Sequence, residues 1–575
     1  MKPTQTYLAT SSVTDDVAST LRVYDPVIRQ LLFSRGIQTE EEAEKFLHPN
    51  YETSLHDPFL FTDMEKAVQR ILRAMRENEH VVIYTDYDCD GIPGGVILHD
   101  FFTAIGYTNF ENYIPHRHHE GYGFNAGSVE QFVERGAKLI ITVDCGITDH
   151  VATLKAMSNG IDVIITDHHE PSETLPSAYA IINPKRDDAY PFKGICGSGV
   201  AFKLAQATLT RGREQGSPLL KDFKVGMEKW WLDMVGLATI ADMVPLVGEN
   251  RVLASFGLSV LRKSPRPGLA HLLRKSGGSQ RHLTEDDIGF TIAPRINAAS
   301  RMDTPEDAFN MLRSRDEGEA EAYALHLEKL NNERKGVVAS MVKEAKHRLE
   351  QSSEMPPVLV LGNPEWRPSL VGLVANTLAE IYARPAFLWG RDGNGVIKGS
   401  CRSDGIVSTL KLMEGTPESF IHFGGHHFSG GFAVLDTVIH TLLDSLIAVH
   451  AKCGDTLKTE SITYIDYDLM LSDITEKLVR TLRTLAPFGE GNPKPLFRFY
   501  DVIPESVFIF GKAKDHTKMR FLSGVGPIDA IAFFKLPEHF SVTPEAGKPT
   551  TLIAHIEESF FMGRKEVRLR IVDVV

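Results

Sequence analysis

Hydrophobic residues occur along the chain in short continuous runs separated by helix-length stretches, and three of these runs end directly in aspartate. The runs are 81–85, 139–143 and 163–166, and they are followed by Asp86, Asp144 and Asp167. Runs rich in β-branched and aliphatic residues predict strands of a parallel sheet that is buried on both faces. Because ligands of such sheets bind at the carboxyl ends of the strands, we expect these aspartates to converge in one crevice.

More acidic residues belong to the same pattern. Asp86, Asp88 and Asp90 alternate with other residues, so in an extended backbone all three side chains would point the same way and Cys89 would face the other way. His168 follows Asp167, and Asp242 lies in the apolar stretch 235–243. The sequence therefore predicts that five carboxylates and an imidazole meet in a small volume.

Such a cluster is unstable by itself. Two like charges roughly 4 Å apart repel by about 4 kcal/mol at an effective dielectric near 20, so the cluster requires raised pKa values or bound cations. Carboxylate oxygens with histidine nitrogens and no thiolate favour Mn²⁺ or Mg²⁺ and predict a two-metal hydrolase. The alternative is that each aspartate only caps the helix after its strand. Capping needs one acceptor per helix, and this pattern supplies more.

Length, charge and cysteine content are those of an intracellular enzyme. The 575-residue chain is long enough for several domains, and it contains no long apolar span and no signal core near Met1, so we expect a cytoplasmic protein without a membrane partner. Its net charge of −13 means that a nucleic acid would have to be held by local basic patches and by metal. The cysteines lack CxxC spacing and are expected to be buried thiols. They are Cys89, Cys145, Cys196, Cys401 and Cys453.

The pattern along the chain predicts an α/β fold class with several domains. Residues 27–32 and 39–47 read as amphipathic and capped helices, and the Ala-, Glu-, Lys- and Leu-rich stretch after Pro305 reads as one long helix or a helical pair. The predicted domains are an N-terminal helical arm (1–65), a catalytic domain (66–304), a connecting helix (305–352), a second α/β domain (353–455) and a β-barrel of the OB type (456–575).

The C-terminal region combines short alternating strands with basic and aromatic residues. Stacking surfaces in a cationic groove hold single-stranded nucleic acids, although alternating basic residues are also typical of the solvated face of a strand. The basic residues are Lys512, Lys514, Lys518, Arg520, Arg564, Lys565, Arg568 and Arg570, and the aromatic residues are Phe508, Phe510, Phe521, Phe560 and Phe561.

Four ordered motifs give the chain a family resemblance. They are 86–91 (DYDCDG), 143–146 (VDCG), 167–169 (DHH) and 241–242 (AD), and their order resembles the DHH phosphoesterase superfamily. Further segments resemble its RecJ branch nearly end to end: 115–117 with 120–123, 294–301, 399–403, 424–426 and 486–493. The resemblance implies two α/β domains of the DHH and DHHA1 types, joined by a long helix, and a C-terminal OB domain.

The resemblance also implies an activity. Proteins of this branch are 5′-to-3′ exonucleases that act on single-stranded DNA in repair and recombination and release nucleoside 5′-monophosphates. Two Mn²⁺ or Mg²⁺ ions would activate water for phosphodiester hydrolysis. We expect a monomer whose partners are single-stranded DNA, a helicase and a single-strand-binding protein.

The family's functional residues can be transferred position by position. The implied metal ligands are Asp86, Asp88, Asp90, Asp144, His168 and Asp242, with Asp144 as the bridge. His169 would face the scissile phosphate, and Asp167 would orient His168 through its other ring nitrogen. Arg402 with Ser400 would hold the 5′-terminal phosphate and set polarity. The implied substrate-binding residues are Arg117, Arg295, Asn297, Arg301, Ser400, Arg402 and His426.

Two alternatives belong to other functional classes. A DHH phosphodiesterase acting on short oligonucleotides or cyclic dinucleotides commonly lacks the N-terminal arm and C-terminal β domain expected here. A noncatalytic replication scaffold would be expected to lose metal ligands, whereas all six are present. Ser300 and the segment 366–369 depart from the family pattern, and their effect is left open.

Overall fold

The computed structural model describes residues 4–352, 354–392, 395–452, 460–511, 513–523, 526–561 and 564–575. The chain forms two compact units. The first comprises Met1–Thr4, Asp57–Asp242 and Gly257–Thr459, and the second comprises Gln5–His56, Met243–Phe256 and Glu460–Val575. No helix among the described residues is long and apolar enough to cross a membrane.

The strands are β1 (Thr4–Ala9), β2 (Val81–Thr85), β3 (Phe110–Tyr113), β4 (Leu139–Val143), β5 (Asp162–Thr166), β6 (Ala180–Ile182), β7 (Leu359–Gly362), β8 (Ala386–Arg391), β9 (Ile397–Arg402), β10 (His422–Gly425), β11 (Ser429–Val434), β12 (Glu460–Ile465), β13 (Tyr467–Asp468), β14 (Phe497–Val502), β15 (Pro504–Phe510), β16 (His516–Ser523), β17 (Gly526–Ala532), β18 (Thr550–Phe561) and β19 (Arg564–Val574).

The α-helices are α1 (Asp15–Thr20), α2 (Pro26–Phe33), α3 (Glu40–Leu47), α4 (Tyr51–Ser54), α5 (Met64–Glu77), α6 (Gly91–Ala104), α7 (Ala126–Glu134), α8 (His150–Ser158), α9 (Gly197–Glu214), α10 (Leu232–Ala241), α11 (Gly248–Leu261), α12 (Pro267–Lys275), α13 (Glu285–Asp287), α14 (Ala293–Met302), α15 (Glu306–Arg313), α16 (Glu317–Glu350), α17 (Pro368–Tyr382), α18 (Thr409–Glu414), α19 (Leu442–Lys452) and α20 (Glu476–Arg483).

The first unit contains the predicted parallel sheet. Its five strands run in the order β3-β2-β4-β5-β6, and every pair is parallel. All residues of β2 and β4 are buried, as expected for a sheet covered on both faces. Thr85 pairs with Val143, which pairs with Thr166, so these three strands end at the same edge. Asp86, Asp144 and Asp167, each the next residue in sequence, therefore emerge together.

A second sheet in this unit has the order β10-β11-β9-β8-β7, with β7 parallel to β8 and the other pairs antiparallel. The predicted helical stretch before it consists of α15 and the 34-residue α16. Trp366, in the segment that departs from the family pattern, is 4% exposed and donates a hydrogen bond to Glu344 of α16 at 3.0 Å. Its role in this chain is packing of the second sheet's helices.

The second unit combines both ends of the chain in one hydrophobic core. The predicted helices near residues 27–32 and 39–47 are present as α2 and α3, and α3 begins with the capping box of Thr39 and Glu42. Leu31 and Leu32 of α2 are buried in the same core as Phe497 of β14. The N-terminal region is therefore helical but not a separate arm, because its apolar face is covered by C-terminal strands. The seven-stranded sheet has the order β13-β14-β18-β19-β17-β16-β15, which does not close on itself among the described residues.

Arg251 ties the parts of the second unit together. Its side chain is 2% exposed, and the guanidinium lies over the ring of Phe46 at 3.7 Å. It donates hydrogen bonds to four backbone carbonyls, which belong to Phe46, Thr484, Leu485 and Ala486. One side chain thus connects α11, the end of α3 and the loop before β14.

We predict that Arg251→Met destabilises the second unit by about 2–4 kcal/mol, because buried carbonyls lose their donor. Denaturant unfolding followed by far-ultraviolet circular dichroism would measure the change. Arg480→Met is the matched control, because Arg480 has an exposed side chain paired with Glu476 at 3.6 Å, and it should change stability by less than about 1 kcal/mol. Equal effects of the two substitutions would contradict the role of Arg251.

Candidate metal centre

The six predicted metal ligands lie together at the carboxyl edge of the parallel sheet. His168 Nε2 is 3.2 Å from Asp144 Oδ1, 3.6 Å from Asp90 Oδ2 and 3.7 Å from Asp242 Oδ2. Ligand atoms of Asp86, Asp88 and Asp144 form a second group within 4.8 Å of one another. Asp144 belongs to both neighbourhoods, so the arrangement has room for two cations that share it.

The backbone around the first motif is not extended, and the prediction of three parallel side chains was wrong. The chain turns after Asp86, and Asp88 Oδ1 accepts hydrogen bonds from the amides of Asp90 and Gly91 at 2.8 and 3.1 Å. Asp88 thereby satisfies two backbone amides at the start of α6. Asp88 can accept these amides and also belong to the carboxylate cluster, because a carboxylate has a second oxygen.

Close backbone approach completes the cluster. Asp144 has a left-handed backbone with φ of 62°, which is uncommon outside glycine but tolerated by aspartate. Asp90 accepts hydrogen bonds from the amides of Gly197 and Ser198 at 2.6 and 2.7 Å, so the N-terminus of α9 stabilises its charge. A Cβ at Gly197 would lie 2.4 Å from Asp144 Oδ1. Glycine is therefore required there for α9 to reach the site.

The electrostatics of the cluster favour a bound cation. Burial, followed by repulsion from neighbouring aspartates, raises the pKa values of Asp86 and Asp144 well above the ordinary range and that of Asp242 to about 9. Asp86 Oδ1 and Asp144 Oδ1 are buried and have no hydrogen-bond partner among the described residues. Carboxylate oxygens that accept no hydrogen bond and lie next to an imidazole are ligand atoms that suit Mn²⁺ or Mg²⁺. The residues present therefore fit the two divalent cations that the sequence predicts.

The two histidines have different surroundings. Burial lowers the pKa of His168, which keeps its imidazole neutral and able to bind metal. Asp167 Oδ1 lies 2.7 Å from Nδ1 of His169 and accepts the amides of His168 and His169. The expectation that Asp167 orients the ring of His168 was wrong. The ring that faces Asp167 after the end of β5 is that of His169.

The surroundings of His169 favour its protonated form. Burial opposes its protonation, but the hydrogen bond and charge of Asp167, with the charges of Asp90 and Asp242, outweigh burial and raise the pKa of His169 to about 9. At neutral pH its imidazolium would carry a proton beside the carboxylate cluster.

Three arginines lie close enough to Arg301 for their charges to interact with it. Burial first, and then repulsion by Arg117, Arg334 and Arg402, lowers the pKa of Arg301 to about 9. Arg301 donates to the carbonyl of Ser369 at 2.9 Å, and the Ser369 hydroxyl donates back to the Arg301 carbonyl at 2.9 Å. This reciprocal pair joins α14 to the start of α17, and it gives Ser369, one of the departures from the family pattern, a structural role. The positive charge of Arg301 and the three neighbouring arginines is suited to binding an anion.

Arg402 and Ser400 lie side by side on β9. Arg402 Nη1 donates to Ser400 Oγ at 2.9 Å and to the Cys401 carbonyl at 2.7 Å. Burial lowers the pKa of Arg402. A Cβ at Gly372 of α17 would lie 3.0 Å from Ser400 Oγ, so helix and strand meet at this pair.

Other predicted substrate residues have partners within the fold. Arg295 is 6% exposed and donates to Glu328 of α16 at 2.5 Å, which makes it a packing residue. Asn297 Oδ1 accepts the amide of Cys89 at 2.9 Å and thereby supports the DYDCDG turn. His426 is exposed at the turn between β10 and β11, and its amide donates to the Ser429 carbonyl at 2.7 Å, which closes the turn without involving its ring. Each of these three residues therefore makes a different contact within the fold.

Two features of the site were missed by sequence analysis. Arg334 lies on α16, in a stretch that reads as a solvated connector, yet its Nε is buried without a hydrogen-bond partner among the described residues. No sequence signal distinguishes it from neighbouring basic residues of that helix. The Gly197–Ser198 pair was also missed, although a glycine-rich helix start is a recognisable signal of close backbone approach.

Three of the basic residues of the C-terminal sheet are paired with carboxylates. Lys518 and Arg520 both pair with Asp529, at 2.5 and 2.8 Å, and Arg568 pairs with Glu557 at 3.4 Å. Phe508 is 44% exposed, but Phe521 is fully buried and belongs to the core rather than to a stacking surface. Lys512 lies outside the described residues, as does Cys453, and so do the side chains of 560, 561, 564 and 565, whereas the other four cysteines are buried and free as expected.

Comparison with known proteins gives matches along most of the chain. The family profile for the "DHH family, N-terminal domain" matches residues 80–239, and that for the "RecJ OB domain" matches residues 465–573. The single-stranded-DNA-specific exonuclease RecJ of Bacillus subtilis is 35% identical over 554 residues, which cover 95% of this chain and 68% of that protein. RecJ of Escherichia coli is 33% identical over 496 residues, covering 84% of this chain and 85% of that protein.

Solved structures give the same picture. The crystal structure of RecJ from Thermus thermophilus in complex with Mn²⁺ matches 100% of this chain and 80% of that chain, with a TM-score of 0.81 and 27% identity. A structure described as exonuclease RecJ bound to manganese matches 68% of this chain and 95% of that chain, with a TM-score of 0.58 and 31% identity.

A second group of possible ligands lies away from the sheet edge. His326 Nε2 is 3.3 Å from Asp303 Oδ2 and 3.2 Å from Asp307 Oδ2, and Asp303 is exposed. An exposed ion pair of this kind needs no metal, and it provides a control for the buried cluster.

We predict that Mn²⁺ raises the unfolding temperature of the chain relative to EDTA, by an amount equivalent to about 2.7 kcal/mol for each site at roughly 100 times its dissociation constant. Asp144→Asn should abolish this stabilisation and leave the chain at least as stable as wild type in EDTA, because it replaces a buried carboxyl whose charged form is disfavoured there by burial and by neighbouring aspartates. Asp303→Asn should leave the Mn²⁺ effect unchanged. Differential scanning calorimetry measures all three, and a loss confined to Asp303→Asn would move the metal centre elsewhere.

Proposed function

Because this chain belongs to the RecJ family, we propose that it is a single-stranded-DNA-specific exonuclease that hydrolyses phosphodiester bonds at the carboxylate cluster. The observation that carries the proposal is a buried pair of carboxylate oxygens, on Asp86 and Asp144, that accept no hydrogen bond from the described residues and lie at the edge of the parallel sheet beside two histidines. The relatives' name supplies the substrate. The two-cation chemistry agrees with the manganese bound in the RecJ structures to which this chain is similar.

We assign the residues of the cluster to distinct tasks. Asp86, Asp88 and Asp144 would hold one divalent cation and Asp90, His168 and Asp242 the other, with Asp144 reaching both. When bound, the cations would supply water activation and charge neutralisation at the phosphate. His169, held as a cation by Asp167, has a proton available for the developing charge or the leaving oxygen. A nucleoside 5′-monophosphate would be released at each step.

The position of the basic residues suggests the direction of degradation. The group around Arg301 contains Arg117, Arg334 and Arg402, whose charges act on it together. Within the same unit, Asp88 acts on Arg301 with the opposite sign, so the proposed anion site adjoins the carboxylate cluster. We propose that this group binds the terminal 5′-phosphate while the adjoining bond is cut, which gives 5′-to-3′ polarity.

The rival activities are less consistent with the chain. A noncatalytic scaffold has no need of the unpartnered carboxylate oxygens, which weaken the fold without a cation. An enzyme for short oligonucleotides or cyclic dinucleotides has no evident use for a second unit built from both ends of the chain. A helicase and a single-strand-binding protein remain proposed partners, because they produce and coat single-stranded DNA in the cytoplasm.

The proposed activity is tested with a 3′-labelled single-stranded oligonucleotide that carries a 5′-phosphate, in Mn²⁺ and in EDTA. We expect progressive shortening from the 5′ end in Mn²⁺, no cutting in EDTA and no cutting by the Asp144→Asn variant. Blunt duplex and a trinucleotide serve as comparison substrates. Cleavage of the trinucleotide alone would support the short-oligonucleotide rival, and rapid duplex digestion would overturn single-strand specificity.

The polarity proposal predicts a specific effect of Arg402→Gln. We expect the KM for a 5′-phosphorylated oligonucleotide to rise about tenfold to a hundredfold, because a charge-assisted contact is lost, while a 5′-hydroxyl oligonucleotide is affected little. Arg391→Gln is the matched control on the same sheet, since Arg391 pairs with Asp436 at the surface. An equal change on both substrates would contradict recognition of the 5′-phosphate by Arg402.

A further inference from the structure

Tyr122 contacts His169, the histidine proposed above to supply a proton. Its hydroxyl oxygen lies 3.4 Å from Nδ1 and 3.4 Å from Nε2 of His169, and the two rings meet at 78° with centroids 6.0 Å apart. Because Asp167 lies 2.7 Å from Nδ1, the nitrogen left for the hydroxyl is Nε2. Asp167 and Tyr122 together restrict the imidazole from two sides.

The ring of Tyr122 is open to a ligand. It meets Tyr87 at 76° with centroids 6.4 Å apart, so neither Tyr87 nor His169 stacks on it, and the residue is 57% exposed. Tyr87 is 6% exposed, and its ring is occupied by the guanidinium of Arg117 at 4.8 Å. An exposed aromatic ring that contacts both His169 and the tyrosine under Arg117 is suited to stacking with a nucleobase.

The loop that carries Tyr122 is anchored on both sides. Glu120 accepts the amide of His116 at 2.7 Å and the hydroxyl of Tyr113 at 2.6 Å. The Phe124 amide donates to Asp149 at 2.7 Å. The flanking Gly121 and Gly123 have φ of 85° and 87°, which other residues rarely adopt and which project the side chain between them. The ring is therefore presented by a fixed backbone.

We propose that Tyr122 positions His169 through its hydroxyl and stacks on the nucleotide next to the scissile bond through its ring. The inference rests on the proposed exonuclease function, and it adds a residue that determines how the single strand is seated. A ring that takes one unpaired base also disfavours a base that remains paired, so Tyr122 contributes to the preference for single strands.

Three variants separate the two tasks of Tyr122. Tyr122→Phe removes only the hydroxyl and should lower kcat about three- to tenfold with KM nearly unchanged. Tyr122→Leu also removes the ring and should in addition raise KM about tenfold. Tyr113→Phe is the control, because it removes a hydroxyl bonded to the same loop without touching His169, while Glu120 keeps the His116 amide and Phe124 keeps Asp149. It should leave both constants within about twofold of wild type.

A spectroscopic measurement separates this inference from the proposed function. A single strand with 2-aminopurine at the 5′ terminus, bound in EDTA, should lose fluorescence on binding to wild type and to Tyr122→Phe, but not to Tyr122→Leu. Equal quenching by all three proteins, or an equal loss of kcat in Tyr113→Phe, would overturn the role of Tyr122. Failure of the wild-type protein to bind or cut the strand would instead overturn the exonuclease proposal.

Discussion

Repulsion between buried carboxylates is the constraint on which the first unit depends. The register of β2, β4 and β5 brings Asp86, Asp144 and Asp167 to one edge, and burial there raises the pKa values of Asp86 and Asp144. The fold contributes specific features to maintain this arrangement, including the left-handed backbone of Asp144 and the amides of α9 at Asp90. These features are understandable if the carboxylates hold divalent cations.

Opposite charge is concentrated nearby in the same unit. Burial first, and then repulsion from neighbouring arginines, lowers the pKa of Arg301, whereas Arg295 is paired with Glu328 and stabilises packing. Under the proposed function, a phosphodiester strand would supply negative charge to the arginines, while divalent cations would neutralise the carboxylates. Each concentration of charge would then have its own counter-charge when cations and strand are bound.

Sequence analysis predicted the parallel sheet and the convergence of its aspartates, because apolar runs ending in aspartate report strand ends directly. It failed where a local turn or a distant contact decides the outcome. In the turn after Asp86, Asp88 accepts the amides of Asp90 and Gly91, and the partner of Asp167 is set by the orientation of the His169 ring. Arg334 could not be distinguished from other basic residues of α16, since the burial of its Nε results from tertiary packing.

The most direct measurement is a crystal structure of the chain grown with Mn²⁺, with the ions located by their anomalous scattering. The account predicts two manganese peaks at the carboxyl edge of the β2-β4-β5 strands, both in contact with Asp144. A single peak distant from Asp144, or manganese bound only at Asp303, Asp307 and His326, would contradict it.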